Sequence, residues 1–310
     1  MFIGMSKPLA LPVVPIVRHP TRPAVVWAVG SCVFFYDLQQ KTCARPLGDG
    51  SSSAIRALDA RHDAERGTLT WLTAGDEKLL TTWLETEAGG QWQQQEQLSC
   101  QKKLAAAIFD GDGRIIFADR FGDVCRWSGG EPELLSSHFA IVTALALSPC
   151  QRFLVVGDNH ERVRISCYPE AAEIRSFCFG HQMQITAVAC EKDLLLSASA
   201  DGTLRLWNLD GEEQKCWTLD APISCLSYEN GTAVLGLEAP QAQVAQLKVD
   251  TGQVDTLISE VVLPSSRGVG RAVISIAICH VEKGPVVLPE WVQRVPNRLA
   301  APTTVDAARP

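Results

Sequence analysis

One layout of short strands and turns recurs six times in this chain, and no other feature of its sequence restricts folding as strongly. The clearest copy is ITAVACEKDLLLSASADGTLRLWNL, residues 185–209, which reads as strand, turn, strand, turn, strand. The same layout appears in VTALALSPCQRFLVVGDNHERVRISCY (142–168), LAAAIFDGDGRIIFADRFGDVCRWS (104–128), AIRALDARHDAERGTLTWLTAGDEKLLTTWL (54–84) and ISCLSYENGTAVLGLEAPQAQVAQL (223–247). Taking Trp207 as the register, the matching positions are Tyr36, Trp83, Trp127, Ser166 and Gln246, at intervals of 47, 44, 39, 41 and 39 residues. Asp112-Gly113 and Asn230-Gly231 fall where the first two strands of their copies must reverse, and such pairs favour tight hairpins. A unit this short cannot bury its apolar face alone, so the copies must stack on one another.

Spacing of about 40 to 45 residues is that of a four-stranded propeller blade, and the copies resemble WD repeats. The fifth copy carries the fullest signature, with Gly180-His181, Ser199, Asp201 and Trp207. In WD repeats these residue types form a buried hydrogen-bonded chain from Asp through His and Ser to the indole N–H, and a buried Trp N–H needs such an acceptor. The same Ser, His and Asp could suggest a nucleophilic triad. The repeat already accounts for all three, and no nucleophile elbow accompanies them. The expected fold is all-β, a WD-repeat β-propeller of nominally seven blades. The seventh is incomplete or atypical, because RAVISIAICH and GPVVLPEW supply two strands and no third with a turn motif follows. Since closure removes exposed sheet edges, the run Leu9 to Val17 is expected to add a strand to the last blade. A single propeller domain over 1–290 and a poorly ordered tail over 291–310 complete the expected organisation.

Composition narrows the function. With 28 basic and 35 acidic side chains the formal charge is −7, which disfavours coating nucleic acid unaided. The 11 cysteines are scattered, without a C-x-x-C pair or zinc spacing, and read as small buried hydrophobes in a reducing compartment. The opening MFIGMSKPLALPVVPIV is broken by Pro8, Pro12 and Pro15 and is a poor signal peptide. No apolar run approaches the roughly 20 residues of a membrane span. The sequon at Asn230 reads as a turn. There is no G-x-G-x-x-G after a strand, no P-loop and no paired carboxylates on a helix, so the chain is expected to be no enzyme and to hold no cofactor or metal.

Copies three to five carry a more specific likeness. ADRFGDVCRW (118–127), LSPCQRFLVVGDNHERVRISCY (147–168), RSFCFGH (175–181) and LLLSASADGTLRLW (194–207) occur in the order and spacing of one family. Together they resemble the non-catalytic WD-repeat subunit of the eukaryotic tRNA (guanine-N7) methyltransferase, the family that includes fly Wuho. That resemblance implies a scaffold that binds and stabilises the catalytic subunit as a heterodimer. The catalytic subunit alone would bind S-adenosylmethionine and methylate a variable-loop guanine, with tRNA met mainly through the complex, in the nucleus and also the cytoplasm. It further implies that Arg164 pairs with a partner carboxylate, for which the guanidinium fork is suited. Arg162 and Arg120 are candidate rim contacts, each with a plain surface charge as its alternative. Asp158 and Glu161 are candidate acceptors for basic groups on the partner. The alternative is a generic WD-repeat adaptor, such as a ubiquitin-ligase substrate receptor, using a propeller face instead of the edge between copies three and four.

Overall fold

The computed structural model describes residues 15–37, 39–40, 42–47, 53–86, 90–238 and 243–258. Within them are six four-stranded antiparallel sheets, each built from consecutive strands paired in sequence order. Blade one comprises β1 (Ile16–Arg18), β2 (Ala24–Val29), β3 (Cys32–Asp37) and β4 (Thr42–Leu47). Blade two has β5 (Ile55–Asp63), β6 (Thr68–Gly75), β7 (Leu79–Glu85) and β8 (Trp92–Ser99). Blade three has β9 (Leu104–Phe109), β10 (Ile115–Asp119), β11 (Asp123–Trp127) and β12 (Glu133–Ser137). Blade four has β13 (Val142–Leu147), β14 (Phe153–Asp158), β15 (Val163–Cys167) and β16 (Ile174–Cys178). Blade five has β17 (Ile185–Glu191), β18 (Leu194–Ser199), β19 (Thr203–Asn208) and β20 (Glu213–Thr218). Blade six has β21 (Ile223–Glu229), β22 (Thr232–Leu237), β23 (Gln243–Lys248) and β24 (Val254–Ile258). All six register positions read from the sequence fall in third strands, and the propeller is a WD-repeat fold.

The core lies between blades, not within them. Successive residues of a strand point to opposite faces, so the second strands of blades two to five each feed two junctions. In β18, Leu195 packs with Val155 and Val163 of blade four, while Leu196 packs with Ile223 and Leu235 of blade six. In β6, Trp71 joins Val26 and Phe35 of blade one, and Leu72 joins Ile115 and Phe117 of blade three. Leu154 and Val156 of β14 meet Ile116 and Val124 of blade three. This double burial explains why the second strands read as unbroken apolar runs instead of alternating ones. The outer strands have one solvated side: in β20 only Trp217 escapes full exposure.

A left-handed residue recurs in the turns between second and third strands. Lys78, Gly122, Glu161 and Gly202 occupy the same register, with φ of 62°, 95°, 73° and 80°. Gly122 and Gly202 adopt it freely, whereas a side chain there costs roughly 1–2 kcal/mol.

The hydrogen-bonded chain of blade five uses a different serine from the one read in the sequence. His181 Nε2 lies 2.7 Å from Ser197 Oγ, and Trp207 Nε1 donates to the same oxygen at 2.8 Å. His181 Nδ1 sits 2.8 Å from Thr203 Oγ1 and 3.4 Å from Asp201 Oδ2, and Thr203 donates to Asp201 Oδ1. Ser199 instead donates to the Met183 carbonyl and accepts from the Asp201 N–H. The reason is reach. Ser197 and Ser199 share a face but stand two residues apart, about 6.6 Å along the strand. Only Ser197, paired across from Arg205, comes level with the indole nitrogen. Burial would raise the Asp201 carboxyl, but hydrogen bonds from His181, Thr203 and the Gln182 N–H outweigh it and hold it well below the usual carboxylate range.

Two other expectations meet the structure unevenly. Ile16 and Val17, from the end of the Leu9 to Val17 run, pair with β2 together with Arg18 as the first strand of blade one, and residues 9–14 lie outside the described residues. Residues proposed for a seventh blade and the 291–310 tail lie outside the described residues.

Replacing Ser197 by Ala strands two buried partners, Trp207 N–H and His181 Nε2, and should lower unfolding stability by about 3 kcal/mol. Ser199→Ala should cost about 1 kcal/mol. Urea melts of the two variants check the order, and equal losses would show that Ser197 is not the shared acceptor.

Candidate functional site

In an antiparallel four-stranded blade, the turn between second and third strands and the connection to the next blade emerge at the same end. Arg120, Asp158 and Glu161 sit in or beside such turns in blades three and four, with Arg162 directly before β15 and Arg164 its second residue. The sequence-derived candidates therefore share one end of two adjacent blades. Their side chains are occupied very differently.

Asp158 is almost fully buried and committed to its own turn. Its Oδ1 accepts from the backbone N–H of His160 and Arg162, and its Oδ2 accepts from Arg162 Nε at 3.1 Å. Asp119 holds the matching place in blade three, accepting from the N–H groups of Phe121 and Asp123. Asp158 is a turn residue, and Arg162 is spent on it. Arg164 is half-buried on the face turned toward blade three, level with Val156 and Phe177. Its Nε donates to Ser166 Oγ and its Nη2 to the Ala171 carbonyl, both at 2.9 Å. Ser166 stands where blade five has Trp207, and the guanidinium of Arg164 runs into the room the missing indole leaves. Arg205, at the matching place in blade five, pairs with Glu213 and is no free strand charge. Arg120 is the freer cation, with Asp76 Oδ1 3.9 Å away. Glu161 is exposed at the turn apex, and its carboxylate has no hydrogen bond or ion pair among the described residues.

The sequence reading missed the apolar part of this end. Phe121 (71% exposed) crowns the blade-three turn, and Lys102, bound to Asp119 and Asp123, lies 4.9 Å over its ring. Phe139 is fully exposed in the link from blade three to four, and Ile141 follows it. Ile141 is tied to the blade-four turn by reciprocal hydrogen bonds with Asn159. Phe177 and Phe179 stack at 5.7 Å where blade four leads into five, with Phe179 65% exposed. Five large apolar side chains on one end of two blades form a patch of the kind that marks protein contacts. In the sequence they look like strand residues. Only the end at which they emerge separates them from core.

No group of three or more His, Cys, Asp or Glu among the described residues could hold a metal ion.

Comparison with known proteins places the chain. Residues 129–249 match the family described as the tRNA methyltransferase TRM82 WD40 domain. The chain is 30% identical over 222 residues to the mouse (Mus musculus) protein named tRNA (guanine-N(7)-)-methyltransferase non-catalytic subunit WDR4, covering 66% of this chain and 52% of that one. The human (Homo sapiens) WDR4 is 34% identical over 180 residues, covering 55% and 42%. The wuho protein of Drosophila grimshawi, named as the same subunit, is 30% identical over 195 residues, covering 59% and 49%. The chain spans about half the length, or less, of these relatives.

Two partly buried groups whose acidity shifts on folding contribute opposite pH responses. Burial, reinforced by Arg164 and Arg162 against the smaller pull of Asp158, pushes His138 down to about 4. Burial also raises Asp59 to about 6, although its carboxylate accepts the Phe109 and Ala60 N–H groups. Below pH 6.5 the unfolded chain protonates His138 before the folded chain does, so this group removes stability as pH falls toward 4. Asp59 has the opposite sign, because its folded form takes up a proton first and gains stability as pH falls from 6 to 4. Melting temperature should therefore change little between pH 6 and 4. An Asp59→Asn variant should lose stability steadily over that range, and His138→Gln should gain it. Matching profiles for both variants would refute this balance.

Proposed function

We propose that this chain, which belongs to the WD-repeat family of tRNA (guanine-N7) methyltransferase non-catalytic subunits, binds the catalytic subunit of that enzyme as a heterodimer and holds it in its active arrangement. The observation carrying this reading is that the family match over residues 129–249 takes in blade four, whose links and turn expose Phe139, Ile141, Phe177 and Phe179, with Phe121 of the neighbouring blade-three turn at the same end. The chain performs no chemistry itself. S-adenosylmethionine belongs to the catalytic partner, which transfers its methyl group to a variable-loop guanine, and tRNA is met mainly through the complex. The work is done in the nucleus, with the cytoplasm as a second compartment. On this reading the apolar patch supplies the desolvated centre of the interface, while Glu161 and Arg120 form its charged rim. Arg164 supports the blade-four surface from behind and reaches a partner carboxylate only by giving up Ser166 or Ala171.

Phe139→Asp separates binding from folding, because a fully exposed side chain contributes nothing to the core. Its melting curve should match the parent's, while co-purification with the catalytic subunit weakens by at least 30-fold, about 2 kcal/mol. Leu134→Asp, at an exposed position on the outer strand of blade three, is the control and should assemble and support N7-methylation normally. If both variants assemble like the parent, the surface is misplaced. Arg164→Glu should lower both melting temperature and assembly, since it breaks two internal hydrogen bonds.

The purified chain alone should bind neither S-adenosylmethionine nor tRNA at micromolar concentration, given its −7 charge and the lack of a phosphate cradle. Titration calorimetry checks this, and micromolar binding of either ligand would contradict the scaffold role.

A further inference from the structure

Blade four keeps the imidazole of the blade-five chain and none of the groups that serve it there. Four residues before Ile185 stands His181, and four before Val142, at the same register, stands His138. In blade five the ring meets Ser197, Thr203 and Asp201. The corresponding positions of blade four hold Val156, Arg162 and His160. His138 Nε2 is left with Ser136 Oγ at 3.3 Å, and its Nδ1 has no hydrogen bond among the described residues. The ring is only partly buried, and the fully exposed Phe139 follows it in the same link.

Charge is unbalanced at the same spot. Arg164 is half-buried, and its guanidinium donates to neutral oxygens, those of Ser166 and Ala171. Asp158 is spent on its own turn and on Arg162. Arg164, Arg162 and Asp158 are the charged groups that face His138, and together with burial they keep the free ring neutral above about pH 4. A half-buried cation without a counter-ion and an imidazole without its acid both call for a carboxylate. We propose that the catalytic partner places a carboxylate side chain on His138, completing from outside the His–acid pair that blade five builds internally, and that the ring takes up a proton from solvent as the subunits join. Nδ1–H donates to the carboxylate, and Arg164 adds its charge from behind. Ser136 serves both states, since a hydroxyl donates to Nε2 of the neutral ring and accepts from Nε2–H of the imidazolium.

This inference rests on the reading of this end as the partner surface. The complex binds one proton more than the free subunits, so affinity rises as pH falls. Binding of the full chain to the catalytic subunit should tighten about three-fold or more between about pH 7.5 and about pH 6. His138→Gln can donate a hydrogen bond but takes up no proton, and it should lose that rise. His138→Leu can do neither and should bind about ten-fold more weakly at about pH 6. Circular dichroism at neutral pH should match the parent's for both variants. An unchanged pH profile in His138→Gln, or parental affinity in His138→Leu, would overturn the inference while Phe139→Asp still blocks assembly. If Phe139→Asp assembles normally, the surface itself is misplaced and the inference falls with it.

Discussion

Burial of both faces of every second strand is the constraint on which the rest of the molecule depends. A blade has no core of its own, and each apolar cluster draws its members from two neighbours. Hydrophobic burial supplies the drive, and the period-two alternation of the strand divides it between the junctions. Apart from buried hydroxyls such as Ser197 and Thr73, which accept from indole N–H groups within the sheets, polar chemistry gathers where the alternation ends, at the turns and blade-to-blade links. There Asp119, Asp158 and Asp201 each gather backbone N–H groups and fix the turn that presents the surface.

The exposed end of blades three and four is built on that frame. Lys102 is held by two carboxylates and positions Phe121, and Asn159 holds Ile141. These aromatic and aliphatic groups are presented by ordered turns, so a partner meets a surface whose ordering cost has largely been met already. Glu161 stands at the turn position that Lys78 fills in blade two and glycine fills in blades three and five.

The repeat was legible because Trp207 and its counterparts mark third strands at near-constant spacing, and turn residues fall where hairpins must close. The choice between Ser197 and Ser199 was not legible. Both point to one face, and only the cross-strand register tells which hydroxyl meets the indole. Arg164 was found by resemblance, but its engagement with Ser166 and Ala171 goes with the absence of a tryptophan two residues along the strand, a packing consequence that no motif states. Asp158 looked like a surface acid and is a turn-forming one. The exposed phenylalanines were hidden for a different reason, since apolar residues near strand ends give the same pattern whether they face a neighbour or solvent.

Because every cluster is shared by adjacent blades only, the described array behaves energetically as a chain of nearest-neighbour couplings. A perturbation at one junction is felt by the two blades that form it and reaches others only through their rigid-body shifts. Amide exchange should show it as patches of protection that rise and fall blade pair by blade pair, instead of one protection level across the molecule. Evolution of such an array is correspondingly modular. The blade-four junction, where Ser166 stands at the register of Trp207 and Arg164 bonds to it, differs in this way while the blade-five junction keeps its indole.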